Sequence, residues 1–432
     1  MTHRSGSRRL GVKALTRVEG EGGLNVTVHD GQVTDVQLHI YEPPRFFEAF
    51  LRGRGHTEPP DITARICGIC PVAYQMSACQ AIEDASGVRV GGQLAELRRL
   101  LYCGEWIESH ALHMYLLHAP DFLGLPDAIA LAQQDRATVE RGLALKKAGN
   151  AIMELVGGRA IHPINVKLGG FYRLPSPVEL ATLVDPLRRA LDDAIATARW
   201  AATFDFPDVT IDHEFLSLRD PGRYPIDTGT LVSSGGLDFP PADYLTHVEE
   251  HQVQHSTALH AALDGHTFLV GPLARYTLNH MWLSPTAREV AAEVGLGPQC
   301  RNPFRGILVR AVETIYAIDE ALRIIAAYDP PAQPAVDVHP RAGTGHGVTE
   351  APRGLLYHRY RITDDGTISD ATIVPPTAQN QPAIEADLRT VVSSALDLDD
   401  HELAHLCERT IRNYDPCISC SAHFLDLTVT RT

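Results

Sequence analysis

"RICGIC" at Arg65–Cys70 and "DPCISCSAH" at Asp415–His423 place the same C-x-x-C pair near opposite ends of a 432-residue chain. Cysteines three residues apart fall on one side of a helical turn, so both sulfurs of a pair can reach one ion. Two such pairs offer four thiolates, and with no histidine among them the set suits nickel, iron or zinc. A structural zinc site usually joins pairs separated by about 12–20 residues, closing a unit too small to fold alone. A chain of this length needs no such staple. The separation therefore points to a preformed protein whose ends meet over a buried centre, with structural zinc as the rival reading.

The composition, 44% hydrophobic and 21% charged, is that of a soluble globular protein. A formal charge of −15 argues against nucleic-acid or anionic-membrane binding, since both need a concentrated basic surface. No apolar run approaches the roughly 20 residues needed to cross a bilayer. The start, "MTHRSGSRRLGVKAL", carries Arg8-Arg9 with no apolar segment behind it, so no export signal is expected and the cytoplasm is the default. Outside the two pairs, Cys79, Cys103, Cys300 and Cys407 stand alone and read as small buried hydrophobes.

From Leu10 to Ile40 the sequence alternates, as in "LNVTVHDGQVTDVQLHI", with Asp30-Gly31 as a hairpin turn. From Gly92 the pattern becomes helical through "QLAELRRLLYCGEWIESHALHMYLLH". Helices are predicted over about Pro126–Val156, Pro177–Phe204, Pro240–Leu263 and Gly306–Tyr328. Strand character returns in "RGLLYHRYRITDDGTISDATIVPP", followed by helices near Pro382–Leu396 and His401–Asn413, the last delivering the second cysteine pair. "DPPAQPAVDVHPRAGTGHGVTEAPRG" is linker-like in its glycine and proline content but too rich in histidine, beside an Arg-Gly, to be a mere spacer. The expectation is one α-rich α+β domain over residues 1–432, a large helical body with small peripheral antiparallel β elements.

Both cysteine motifs closely resemble the two signatures of the large (alpha) subunit of nickel-iron hydrogenases, and the resemblance runs along essentially the whole chain. Further matching segments are "TRVEGEGGL", "PRFFEAFLRGR", "SHALHMYLLHAPDF", "EAPRGLLYHRY" and "VPPTAQN". Their form is most similar to the cytoplasmic, NAD(P)-linked bidirectional group (group 3b), whose members are heterotetramers. The resemblance implies the hydrogenase large-subunit fold and reversible heterolytic cleavage of H2 to protons and electrons.

By the same resemblance, Cys67, Cys70, Cys417 and Cys420 bind nickel, and Cys70 and Cys420 also bridge to an iron carrying carbon monoxide and cyanide. Arg353 matches the arginine suspended over the metals, with Pro352 as apolar wall and with Asp121 and Asp415 as the carboxylates that hold it. Glu19 matches the glutamate that takes protons from a metal-bound thiolate, although Glu21 stands where histidine is usual. Glu48 and His423 match ligands of a second cation, magnesium or iron, with a backbone carbonyl near Thr372 as a third. Thr377 matches a region that hydrogen-bonds the cyanides, with a proline before it in place of the usual serine or threonine. His113 matches a helix position beneath the iron, while a helix histidine such as His110 or His118 reads on its own as a satisfied core residue. Maturation in the family cuts after the position of His423, which makes "FLDLTVTRT", residues 424–432, a removable tail that keeps the second pair from closing early.

No cluster-binding cysteine spacing remains after the four ligands, and "GVRVGG" lacks the G-x-G-x-x-G spacing. Iron-sulfur clusters, flavin and nucleotide are therefore expected on other subunits. The resemblance implies an iron-sulfur small subunit, a flavin- and NAD(P)-binding diaphorase subunit and an additional iron-sulfur subunit. It also implies a maturation protease and nickel-insertion proteins. Besides structural zinc, the alternatives are a nickel-free core subunit like that of respiratory complex I and a hydrogenase of another cytoplasmic group.

Overall fold

The computed structural model describes residues 7–43 and 45–422. His423 and the tail 424–432 lie outside them.

The N-terminal sheet pairs Ser7–Val12, Gly22–His29 and Gln32–Ile40 in antiparallel order. Asp30 and Gly31 both take positive φ, 48° and 75°, which a two-residue turn between right-twisted strands requires. Leu24, Val26 and Val28 face the core, so the alternation seen in the sequence is the alternation of burial.

The helical body is built from Pro71–Ala85, Gly92–Leu112, Arg136–Gly157, Val184–Ala201 and Gly306–Ala326. Gly92–Leu112 is central, and Leu97, Leu100, Tyr102, Trp106 and Ile107 on its different faces are all buried. It packs closely on Arg136–Gly157, where a Cβ on Gly149 would lie 2.6 Å from the Gly104 carbonyl oxygen. Its end passes into a π-helical turn at His113–His118, a widening often found beside functional groups.

The strands Gly343–Ala351, Gly354–Ile362 and Ile368–Val374 form a second antiparallel sheet. Its first strand comes from the linker-like stretch. Gly345 and Gly347 let it lie directly on the helix Pro71–Ala85, since added Cβ atoms would fall 1.9 Å from Ala81 O and 2.2 Å from Ser77 O. The glycine content that resembled a spacer is therefore a packing requirement.

Three expectations about the elements need correction. The middle of the chain is not wholly helical: Phe268–Leu269, Glu214–Arg219, Thr230–Ser233 and Asp238–Phe239 form a four-stranded sheet. The helix predicted over Pro240–Leu263 is instead a single turn, Tyr244–His247, followed by the paired strands Val248–His251 and His260–Leu263. Tyr244 stacks on Tyr357 at 4.2 Å, and Val248 and Leu263 enter a second hydrophobic cluster with Leu216 and Leu231. Tertiary burial overrides the helical spacing here. The helix predicted at Pro382–Leu396 starts earlier, spanning Pro376–Ser394 with Pro382 inside it.

One core cluster includes Leu10, Leu101, Ile315, Leu388 and the cysteines Cys67, Cys70, Cys417 and Cys420. Cys79, Cys103, Cys300 and Cys407 are buried as expected. Among the described residues no helix is long and apolar enough to cross a membrane.

Candidate metal centre

The first motif is not a helical turn. A short 3-10 helix, Ala64–Ile66, ends at Cys67 in extended conformation, and Cys70 stands immediately before the helix Pro71–Ala85. The N–H groups of Ile69 and Cys70 turn back to donate to Cys67 Sγ at 3.2 and 3.3 Å. Cys70 provides no side-chain cap, and the Glu105 carboxylate does that work from the neighbouring helix, accepting the N–H groups of Val72 at 2.6 Å and Ala73 at 3.2 Å.

The second motif follows the helix Asp400–Arg412. Asp415 has φ 49°, an uncommon region for a non-glycine residue, and Cys417 precedes the short helix Ile418–Ser421. The chain then meets the N-terminus: Ile418 N–H donates to the Glu19 carbonyl at 3.0 Å, and Glu19 bridges Cys417 in parallel register. Arg45 ties the two motifs together, since its Nη2 donates to Ile66 O at 2.7 Å and also to Ser419 O.

These contacts bring the four cysteines into one buried group whose sulfurs all lie within 4.8 Å of one another. Cys67 faces Cys417 at 3.4 Å and Cys70 faces Cys420 at 3.7 Å, and none is in a disulfide. Hydrogen bonds from the neighbouring thiols, first that of Cys417, hold Cys67 well below the usual thiol range. Burial pushes Cys420 up to about 11 and raises Cys417 well above the usual thiol range. Binding a metal here therefore expels protons.

Arg353 is buried beside the sulfurs, its charge felt by Cys67. Nε donates to the Asp415 carbonyl at 2.8 Å and Nη2 to Asp415 Oδ1 at 3.0 Å. Nη1 and Asp415 Oδ2 are buried with no partner among the described residues. Four convergent sulfurs under an unfilled guanidinium donor fit a resident metal centre.

Asp121 does not hold Arg353. Its carboxylate binds Arg412, with Nε to Oδ2 at 2.7 Å and Nη2 to Oδ1 at 2.8 Å, and also accepts from Arg17. Burial alone would raise its pKa, but the Arg412 hydrogen bonds and charge outweigh it and hold the group below the usual range. Asp121 thus anchors the N-terminal segment and the end of the helix Asp400–Arg412, one step removed from Arg353.

Glu19 Oε2 accepts from Cys417 Sγ at 3.1 Å and from Ser419 N–H at 3.1 Å, and Oε1 accepts from the Ser419 hydroxyl. Burial, then the Cys67 sulfur, raises this carboxyl above its ordinary range. The Thr377 hydroxyl accepts the Cys417 N–H at 3.0 Å, fixing the backbone of the second motif. Pro352 is buried, and its carbonyl accepts from Arg275 Nη2 at 2.9 Å. His113 Nε2 donates to the Arg412 carbonyl at 2.8 Å. Glu48 accepts the Ile373 N–H at 2.7 Å, next to Thr372, and burial pushes its carboxyl up to about 7. His423, its expected partner at a second cation, lies outside the described residues.

Sequence reading singled out neither Arg45, Glu105, Ser419 nor Arg412. Glu105 left a signal, a carboxylate inside the otherwise apolar "LLYCGEWI". The other three act through partners that only folding supplies.

A profile of the family described as Nickel-dependent hydrogenase matches residues 45–159 and 244–423. The chain is 35% identical over 417 residues to sulfhydrogenase 1 subunit alpha of Pyrococcus furiosus, covering 96% of this chain and 97% of that protein. It is 28% identical over 480 residues to the NAD-reducing hydrogenase HoxS subunit beta of Cupriavidus necator, covering 97% and 95%. A crystal structure of an NAD+-reducing NiFe-hydrogenase in the H2-reduced state superposes with a TM-score of 0.86 at 27% identity, covering 96% and 99%.

Proposed function

This chain belongs to the nickel-dependent hydrogenase family, and we propose that Cys67, Cys70, Cys417, Cys420, Glu19 and Arg353 are its working centre. The chain is the large catalytic subunit of a nickel-dependent hydrogenase, an oxidoreductase acting on H2, and nickel is its metal. The observation that carries the residue assignment is the meeting of four buried sulfurs from the two ends of the chain.

In this reading Cys67, Cys70, Cys417 and Cys420 would hold nickel, with Cys70 and Cys420 shared with an iron that would carry carbon monoxide and cyanide. The facing of Cys67 with Cys417 and of Cys70 with Cys420 supports that division. The bound centre supplies polarisation of H2 and a reservoir for its electrons. The protein supplies the rest. Glu19 takes a proton from Cys417 Sγ over 3.1 Å, and its raised pKa brings donor and acceptor closer in acidity. Arg353, oriented by its two bonds to Asp415, keeps a buried Nη1 with no partner among the described residues for the bound centre, and Pro352 would serve as apolar wall beside it. Thr377 and His113 hold the backbone at Cys417 and Arg412. Glu48 and His423 bind a second cation, magnesium or iron, and residues 424–432 are removed once nickel is in place.

The finer assignment is a cytoplasmic, NAD(P)-linked enzyme, a single large-subunit domain working with an iron-sulfur small subunit, a diaphorase subunit and a further iron-sulfur subunit. A maturation protease and nickel-insertion proteins prepare it. Likeness over nearly the whole chain to the NAD-reducing relative and structure supports the pyridine-nucleotide acceptor. The higher identity to a sulfhydrogenase alpha subunit favours a different acceptor as the second reading.

The test is metal analysis of the natively purified complex, an infrared spectrum in the cyanide and carbon monoxide region, and H2-dependent reduction of NAD and NADP. Nickel and iron with those bands and nucleotide reduction are expected. Bands without nucleotide reduction would remove the acceptor alone; zinc without bands would sink the catalytic assignment.

A further inference from the structure

A second group of metal-ligating side chains lies apart from the four cysteines. His255, His260 and Glu385 each offer one ligand atom, and the three atoms lie within 4.8 Å of one another. They come from the turn between the strands Val248–His251 and His260–Leu263, from the second of those strands, and from the helix Pro376–Ser394. His255 Nε2 meets Glu385 Oε1 at 2.8 Å, and the His255 and His260 rings stand edge to face at 5.5 Å. His260 is 4% exposed, and its Nε2 is buried with no partner among the described residues.

Unpaired ring nitrogens occur at other buried histidines too, His113 and His118 among them; what sets His260 apart is a second imidazole and a carboxylate whose ligand atoms converge with its own. An unpaired buried polar atom costs about 1–3 kcal/mol, and here it lies beside a second imidazole and a carboxylate. Gln381, on the helix that carries Glu385, lies close to the His260 ring and donates to the carbonyl of the neighbouring Leu259 at 3.2 Å.

We propose that His255, His260 and Glu385 bind a divalent first-row transition metal, zinc by preference, at a site separate from the four-cysteine centre. Two imidazoles and a carboxylate form a borderline donor set that suits zinc and leaves a fourth position for water. Bonds of about 2.0–2.2 Å require ligand atoms roughly 3.4 Å apart. The His255–Glu385 contact must open slightly and the wider separations close.

The site's position gives the ion a structural task. Glu385 Oε1 also accepts the Leu38 N–H at 2.7 Å, and Thr257 N–H, two residues from His255, donates to the Ile40 carbonyl at 2.8 Å. Ile40, Ala258 and Ile418 form a small buried cluster, and Ile418 follows Cys417 directly. An ion here would clamp the N-terminal sheet and the helix Pro376–Ser394 behind the second cysteine motif.

The experiment compares zinc content and zinc-edge X-ray absorption of the purified complex, after repletion with zinc ion alone, with those of His255→Gln and His260→Gln. Expected is about one additional zinc per chain with a nitrogen and oxygen shell and imidazole scattering. Either variant should lower zinc affinity by more than the roughly 10–100-fold typical of losing an outer-shell partner, with nickel content unchanged. Absence of zinc from the wild-type complex would overturn the proposal, as would zinc that persists in both variants. Zinc with sulfur neighbours at about 2.3 Å would also overturn it, placing the ion among the four cysteines and counting separately against nickel there. Should the variants fail to accumulate, cobalt ion titrated into chelator-treated wild-type complex decides the matter: nitrogen and oxygen ligation displaced by zinc supports the site, and no specific binding overturns it.

Discussion

Glu19 and Cys417 are 398 residues apart in sequence, yet the Glu19 carboxylate accepts from the Cys417 sulfur at 3.1 Å. The same two residues are joined through a parallel backbone bridge, so the proposed proton acceptor and the proposed metal ligand are positioned by one piece of structure. Their relationship is therefore rigid, and it yields the first prediction.

Glu19→Gln keeps the shape and one hydrogen bond accepted from Ser419, with the Ser419 hydroxyl able to turn and accept from the new amide, but it removes the basic oxygen. Isotope exchange between H2 and water should fall by roughly 100-fold or more, the scale of losing a positioned general base. Nickel content should stay near wild type. Equal loss of nickel and of exchange would make Glu19 a structural residue.

The pH profile should carry the same signature. Burial and then Cys67 raise the Glu19 pKa, and proton acceptance needs the ionised form. H2 oxidation should decline as pH falls through a value above the ordinary carboxylate range, and that limb should disappear in Glu19→Gln. An unchanged limb in the variant would assign it to another group.

Arg353→Lys retains the charge and loses the planar two-point contact with Asp415. Loss of charged hydrogen bonds worth about 1.5–3 kcal/mol should lower turnover by roughly 10–100-fold. Nickel binding should persist, because no sulfur is disturbed. Turnover measured against nickel occupancy checks this, and wild-type turnover would remove Arg353 from the centre.

Asp121→Ala leaves Arg412 buried without its carboxylate, a change that typically costs about 3–5 kcal/mol. The purified complex should unfold at a clearly lower temperature. Because the folded-state pKa of Asp121 is depressed, its contribution is present above the ordinary carboxylate range and fades as pH falls through the depressed value. Melting curves of wild type and variant should therefore converge in acid, and parallel curves would refute the anchor.

Gly345→Ala would press a methyl group against Ala81 O, 1.9 Å away, and push the sheet off the helix that follows Cys70. Reduced nickel occupancy with the chain still soluble is expected, measured per purified chain. Full occupancy would show that the helix can shift without moving Cys70.

The sequence by itself pointed to a four-thiolate metal site and to much of the architecture, while the choice of nickel over zinc rested on family resemblance. Four cysteines in two spaced pairs require the chain ends to meet, and the Asp30-Gly31 turn and the apolar spacing after Gly92 are local signals that survive folding. Glu19, Arg353 and Asp415 could be singled out because they sit in short, distinctive segments, and folding brings them beside the four sulfurs. The pairing of Asp121 with Arg412 instead of Arg353 was decided by tertiary structure, because it joins residues 291 apart and depends on which of several buried guanidinium groups comes within reach. The hairpin at Val248–Leu263 was decided there too: Tyr244, Val248 and Leu263 suit a helical face or a strand, and the cluster around Tyr357 and Leu216 selects the strand. Once that hairpin forms, His255 and His260 can meet Glu385, a convergence created by burial rather than by spacing along the chain.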